Sequence, residues 1–203
     1  MEMTAQINCN DRLCQWILKS LEETVGEEEI KAIAIAANVS AEPHIQTKDS
    51  MIQAKQLFAA LENVFGEPGG KGLSIQAGRN AFNVLLQENG EELGWFSQRF
   101  RLLPKNSRIQ EGLNTLMNQL SDLCGTNVSV QEDEINWSWV ADGCVWREMS
   151  REGMDMCYFS QGLLQEFMLW ASGGRVHLVN IASCALLGDE TCKLLIRKQP
   201  LEG

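Results

Sequence analysis

The sequence predicts an α+β fold in which a run of helices packs against an antiparallel sheet. Two observations carry that prediction. Apolar residues recur at helical spacing as far as Gly125, and from Thr126 onward the period falls to two, interrupted by a single helical stretch. The resulting order of helices, hairpin, helix and hairpin differs from the strict alternation of an α/β chain.

Asn10 and Asp11 suit the cap of a first helix in which Leu13, Trp16, Ile17 and Leu21 share a face, ending near Gly26. A second helix is expected over 27–39, then a loop over 38–47 around Pro43 and His44. A third, over 48–65, aligns Met51, Ala54, Phe58, Leu61 and Phe65. The Gly/Pro-rich run at 66–70 is expected to stop it. That run is the candidate boundary between an N-terminal helical segment, 1–66, and a second unit, 67–203, although five residues also suit a loop within one domain. Helices over 73–89 and 92–103, split by Asn89-Gly90, precede one over 108–124 that places Ile109, Leu113, Leu116, Leu120 and Leu123 together. Residues 126–131 and 134–141 alternate as a hairpin with Val128, Val130, Ile135, Trp137 and Trp139 facing inward. A helix over 160–171 aligns Leu163, Phe167 and Trp170, and strands over 175–186 and 192–198 meet through the turn at 187–190.

At 203 residues the chain supports one main core, and two full domains would be tight. Its net charge of -10 repels phosphate backbones and anionic membranes, which argues against a nucleic-acid partner. The amino-terminal run resembles neither a signal nor a transit peptide, and no apolar stretch reaches the roughly 20 residues that span a bilayer. A cytoplasmic protein is expected.

Seven cysteines, at 9, 14, 124, 144, 157, 184 and 192, then read as reduced thiols, some of them available to a metal. Cys9, Cys14 and Cys124 suit small buried positions. Cys184 and Cys192 flank the last turn, so their thiols can lie close, and Cys157 at the mouth of the preceding helix can reach the same sheet end. Three thiolates about 2.3 Å from one Zn²⁺ would make most of a tetrahedral site. The spacing contains no Cys-x-x-Cys pair, so spacing alone is a weak metal signal.

The run Cys157-x-Phe159-x-x-Gly162, followed by Cys184-x-x-x-Gly188-Asp189-x-x-Cys192 and preceded by Cys144, resembles the 4-vinyl reductase domain. That family comprises small-molecule-binding modules, including a bacteriochlorophyll-biosynthesis protein and the sensor domains of aromatic-responsive transcription activators. The likeness covers about residues 67–203, with a less specific Ala77-Gly78-Arg79 near its start. It implies the fold shared by heme-NO-binding domains and vesicle-tethering TRAPP subunits, with helices and sheet around an apolar pocket. It also implies zinc held by three cysteines and a glutamate, which carries over to Cys157, Cys184 and Cys192. The glutamate is missing, because the strand that should hold it reads Val176-His177-Leu178-Val179-Asn180-Ile181. Either His177 or Asn180 substitutes, water completes the set, or the site is empty.

His177 also alternates with apolar strand neighbours, which suits a hydrogen-bonded sheet histidine. With His44 and His177 the only histidines, and no Gly-x-Ser-x-Gly, phosphate-binding loop or Gly-x-Gly-x-x-Gly, a catalytic pair lacks support and an enzyme is not expected. Trp95, Phe100 and Trp137 are the candidates to line a pocket for a flat aromatic or tetrapyrrole, with a plain aromatic core as the competing reading. Heme ligation is not expected, since no histidine falls on a helix facing that pocket. The leading reading is a carrier or sensor of a hydrophobic small molecule, such as a chlorophyll precursor or an aromatic, with zinc stapling the C-terminal hairpins. A reductase or reductase accessory would need a partner to deliver hydride. A scaffold acting as a homodimer or on a partner protein is the third reading.

Overall fold

Ile17, Leu21, Phe58, Phe82, Phe167 and Ile196 are all but inaccessible to water, and they come from three helices and a strand that share one apolar core. The computed structural model describes residues 11–36, 50–124, 127–142 and 155–201. The expected loop over 38–47, with Pro43 and His44, falls largely outside them, as do Cys9 and Cys144.

Helix α1, Asp11–Val25, buries Ile17 and Leu21 against helix α3, Ser50–Asn89, and the Trp16 indole Nε1 donates to the Ala81 carbonyl at 2.5 Å. Each such apolar side chain contributes about 1.5–3 kcal/mol by leaving water. Gly26 separates α1 from α2, Glu27–Ala36, whose opening glutamates face the positive end of the helix dipole.

The run at 66–70 was expected to end a helix; instead α3 spans Ser50–Asn89 with one kink at Gly66 (φ 73°, ψ 166°). Gly66 adopts a backbone that ends one helical segment, and Pro68 stands in the first turn of the next, where its missing N–H costs little. The helix therefore bends and continues. Core residues on both sides of the bend pack together: Phe58 meets Phe159 edge-on at 5.6 Å, and Phe82 meets Phe167 at 5.7 Å.

The helix expected over 92–103 shrinks to α4, Gln98–Arg101. Gly94 takes a left-handed φ of 73°, and the Ser97 hydroxyl then caps the short helix by accepting from the Phe100 N–H at 3.2 Å. Helix α5, Lys105–Cys124, follows the expected face, with Ile109, Leu113 and Leu116 buried.

Strands β1 (Asn127–Glu132), β2 (Asn136–Asp142), β3 (His177–Ser183) and β4 (Cys192–Pro200) form one antiparallel sheet in the order β1-β2-β4-β3. Trp137 and Val179 both lie opposite Ile196, and Trp139 lies opposite Leu194, so the inward rows of three strands coincide. Ile135 was expected to join them but is 57% exposed. The Asp133 carboxylate accepts from the backbone N–H groups of Ile135 and Asn136, both at 2.7 Å, and this turn takes Ile135 out of the strand alternation. Helix α6, Asp155–Ala171, begins five residues before the expected start and links the two hairpins. No described helix is long and apolar enough to cross a membrane.

Candidate metal centre

Helix α6 reaches the sheet end because it crosses α3 at backbone contact. A Cβ built on Gly78 would lie 1.9 Å from the Phe159 carbonyl oxygen, and one on Gly162 would lie 1.9 Å from that of Ile75. Only glycine fits at either place. The Gln161 amide donates to the Val179 carbonyl at 2.7 Å and ties the helix to β3. Cys157 consequently stands in the first turn of α6, facing the end of β3.

Cys184 follows β3 and precedes a 3-10 turn, Ala185–Leu187, and Cys192 opens β4. Since Ser183 pairs with Lys193, the two cysteines are brought to the same end of the sheet. The Asp189 carboxylate accepts from the Cys184 N–H at 2.7 Å, and the Ser183 hydroxyl donates to the Thr191 carbonyl at 2.8 Å. Both bonds hold the turn, with Gly188 at a φ of 106°.

The three Sγ atoms lie within 4.8 Å of one another, and Cys157 and Cys184 are 3.0 Å apart. All three residues are buried. A tetrahedral ion with Zn–S bonds of about 2.3 Å spaces its sulfurs about 3.8 Å apart, which this cluster can match. The Ala185 N–H donates to the Cys192 sulfur at 3.3 Å, and the amino end of α6 lies under Cys157, so fixed dipoles favour negative sulfur. Without a cation the balance is reversed. Hydrogen bonding with Cys192, then burial, then the neighbouring Cys184 push the Cys157 thiol far above the ordinary thiol range. Three thiolates in so small an apolar volume need a divalent cation to balance them.

Among the described residues no carboxylate or imidazole joins the set. His177 is not a ligand. It opens β3 opposite Pro200, whereas Cys184 follows the strand's other end, about 23 Å away at roughly 3.3 Å per residue. Its Nδ1 lies 2.8 Å from the Arg197 carbonyl, and burial depresses its pKa, so it is a neutral sheet residue. Asn180 is exposed at mid-strand, opposite Leu195, about 13 Å along the strand from Cys184 at roughly 3.3 Å per residue.

A second concavity lies at the carboxyl end of α6. Trp95, Phe100 and Trp170 wall a cleft of about 540 Å³, with Phe96, Arg101, Arg108, Ala171 and Gly173 around it. Trp95 and Phe100 both line this concavity. Trp137 does not line it; it lies in the sheet beneath the Lys198 ammonium, 5.5 Å from the ring centre. Sequence reasoning passed over Trp170, assigned to the core, and the two arginines, whose signal was the run of arginines at 99, 101 and 108 in an acidic chain.

No family model and no curated protein matches the chain. Solved structures do. An H-NOX protein from S. oneidensis in the Fe(II)NO ligation state superposes with a TM-score of 0.62 at 12% identity, over 92% of this chain and 98% of that one. An oxygen-binding H-NOX domain related to soluble guanylate cyclases superposes with a TM-score of 0.55 at 12% identity, over 96% and 97%. The fold is that of the H-NOX domains. At this identity the likeness shows the fold alone.

The resemblance to the 4-vinyl reductase domain is therefore corrected: no model of that family matches, and the superposing structures named here are H-NOX domains. The residues that carried it have local structural reasons to be present. Gly162 makes the helix crossing, Gly188 turns the chain, and Asp189 holds the Cys184 N–H. A motif made of such roles can arise wherever this turn and crossing are built.

The described residues do not fit a heme, the group named for another solved structure that superposes with a TM-score of 0.55 at 13% identity over 96% of this chain and 97% of that one. Iron ligation by imidazole needs a ring nitrogen facing a cavity. His177, the one described histidine, lines neither the cleft of Trp95 nor the smaller groove at Trp16 and Leu85, and the three thiols converge on one another.

Proposed function

We propose that the chain is a non-catalytic small-molecule-binding module on the H-NOX fold, in which zinc held by Cys157, Cys184 and Cys192 staples the sheet end to α6. The convergence of three buried thiols within 4.8 Å, from three separate elements, carries the metal assignment. Soft sulfur donors in a tetrahedral set select zinc over harder cations. Water or a small exogenous ligand takes the fourth position. The hydrophobic ligand sits in the cleft of Trp95 and Phe100, and the described helices before Gly66 cover the unit formed by 67–203. A cytoplasmic setting keeps the thiols reduced.

Because each thiol must lose its proton to bind, zinc uptake strengthens as pH rises and releases protons that a weakly buffered solution will register. Elemental analysis of protein purified under reducing conditions should find about one zinc per chain, lost in Cys184→Ser and in Cys192→Ser. Cobalt added to the stripped protein should give thiolate charge-transfer bands. Metal-free protein that takes up neither ion would overturn the assignment.

A further inference from the structure

We infer that the cleft at the end of α6 takes a planar aromatic molecule bearing a carboxylate, a specificity that rests on the reading of the chain as a small-molecule-binding module. Three observations point to that chemistry. The walls are aromatic: Phe100 and Trp170 lie near-parallel with centroids 5.8 Å apart, and Trp95 lies 5.4 Å from Trp170. Such walls favour a flat, apolar guest that can stack, and about 540 Å³ is a volume typical of small-molecule sites.

The charged side chains at the cleft are both cationic, Arg101 and Arg108, in a chain whose net charge is -10. The Arg108 Nε donates to the Ala171 carbonyl at 2.8 Å, which fixes the guanidinium plane at the rim and leaves its terminal nitrogens outside that bond. Among the described residues neither arginine is in an ion pair; the nearby Glu111 lies against Arg99 instead. A fixed guanidinium is the group best matched to a carboxylate, because its planar fork presents parallel donors.

The third observation is an unused donor. Trp95 is 1% exposed, lines the cleft, and its indole Nε1 has no acceptor in the protein. A buried indole N–H ordinarily finds a partner, and an oxygen on the guest would provide one. Rings, two cations and an orphan N–H together specify an aromatic acid and disfavour a neutral hydrocarbon.

The test compares naphthalene carboxylate with its neutral carboxamide by titration calorimetry on the full-length, metal-loaded chain. The carboxylate should bind at least about tenfold more tightly than the amide. Arg101→Gln, at an exposed rim position, should remove most of that difference by weakening the carboxylate, and Arg108→Lys should weaken the carboxylate by losing the fork. Equal binding of acid and amide, or carboxylate binding indifferent to both arginine variants, would overturn the inference and leave the binding-module reading standing. If neither compound binds, the cleft fails as a ligand site altogether, and the zinc content still decides the metal centre separately.

Discussion

Where α3 crosses α6, the molecule is held by shape; at the sheet end it is held by chemistry. Around the crossing, Phe82, Trp95, Phe167 and Trp170 pack ring to ring, and the glycines at 78 and 162 let the backbones touch. A charged group that bridges the helices there, Arg79, donates to the neutral Gln165 amide oxygen. At the sheet end the packed cluster is small, Cys157, Cys184, Ala185 and Cys192, and its geometry depends on turn hydrogen bonds and on the protonation of sulfur. The backbone contact at the two glycines is complete when the chain folds. The second contains donors that are complete only when something outside the chain balances them.

That contrast can be broken most directly by removing the proposed zinc. Stripping zinc with a chelator, or making Cys184→Ser, should cost about 4 kcal/mol, the linkage expected for an ion held at about a thousandfold above its dissociation constant. Thermal unfolding with and without chelator measures it. The serine variant should no longer respond to the chelator, and an unchanged response would count against the three-thiol assignment. Gly162→Ala strikes the other region. Its Cβ would meet the Ile75 carbonyl, which belongs to helix backbone and cannot swing aside, so a loss of about 3 kcal/mol is expected in urea denaturation with the slope unchanged. Since Cys157 lies on the same helix, zinc should also leave this variant faster; normal zinc retention would show the two regions to be uncoupled.

Asp189→Ala sharpens the comparison at smaller scale. It deprives the buried Cys184 N–H of its acceptor and should cost about 1–2 kcal/mol, with Asp189→Asn recovering most of it because an amide oxygen still accepts. Chemical denaturation of the two variants side by side reads the difference.

The smallest effect concerns His177, whose pKa is lowered chiefly by burial, against the opposing bond to the Arg197 carbonyl, with Lys105 and Arg175 lowering it further. A depressed folded-state pKa means that the unfolded chain binds the proton more readily. The contribution is therefore present in full above the ordinary value of 6.5 and lost as pH falls through it toward the folded pKa. Stability of zinc-stripped protein should decline below that pH, and His177→Gln should flatten the decline. An identical slope in the variant would assign the effect to another group.

Much of this was legible along the chain. The face of α5, the inward row of Trp137 and Trp139, and the closeness of Cys184 and Cys192 follow from period and from a turn between them. The bend at Gly66 was not, because Gly-Glu-Pro-Gly-Gly suits a helix end and a helix restart equally, and only the packing of Phe58 and Phe82 onto α6 makes both happen at once. The misreading of His177 had a different origin. Histidine can substitute for the glutamate that the resemblance places on that strand, yet an extended chain separates the strand's two ends by its whole length.

What the sequence determined by itself is what period, turn residues and side-chain chemistry determine locally: the helical run, two hairpins and a supply of thiols near one sheet end. Tertiary structure decided that Cys157 completes the cluster and that Trp170, Arg101 and Arg108 join Trp95 and Phe100 in one cleft. Those meetings depend on where α3 and α6 cross. The crossing is set by two distant glycines whose absent side chains matter only once the helices have met.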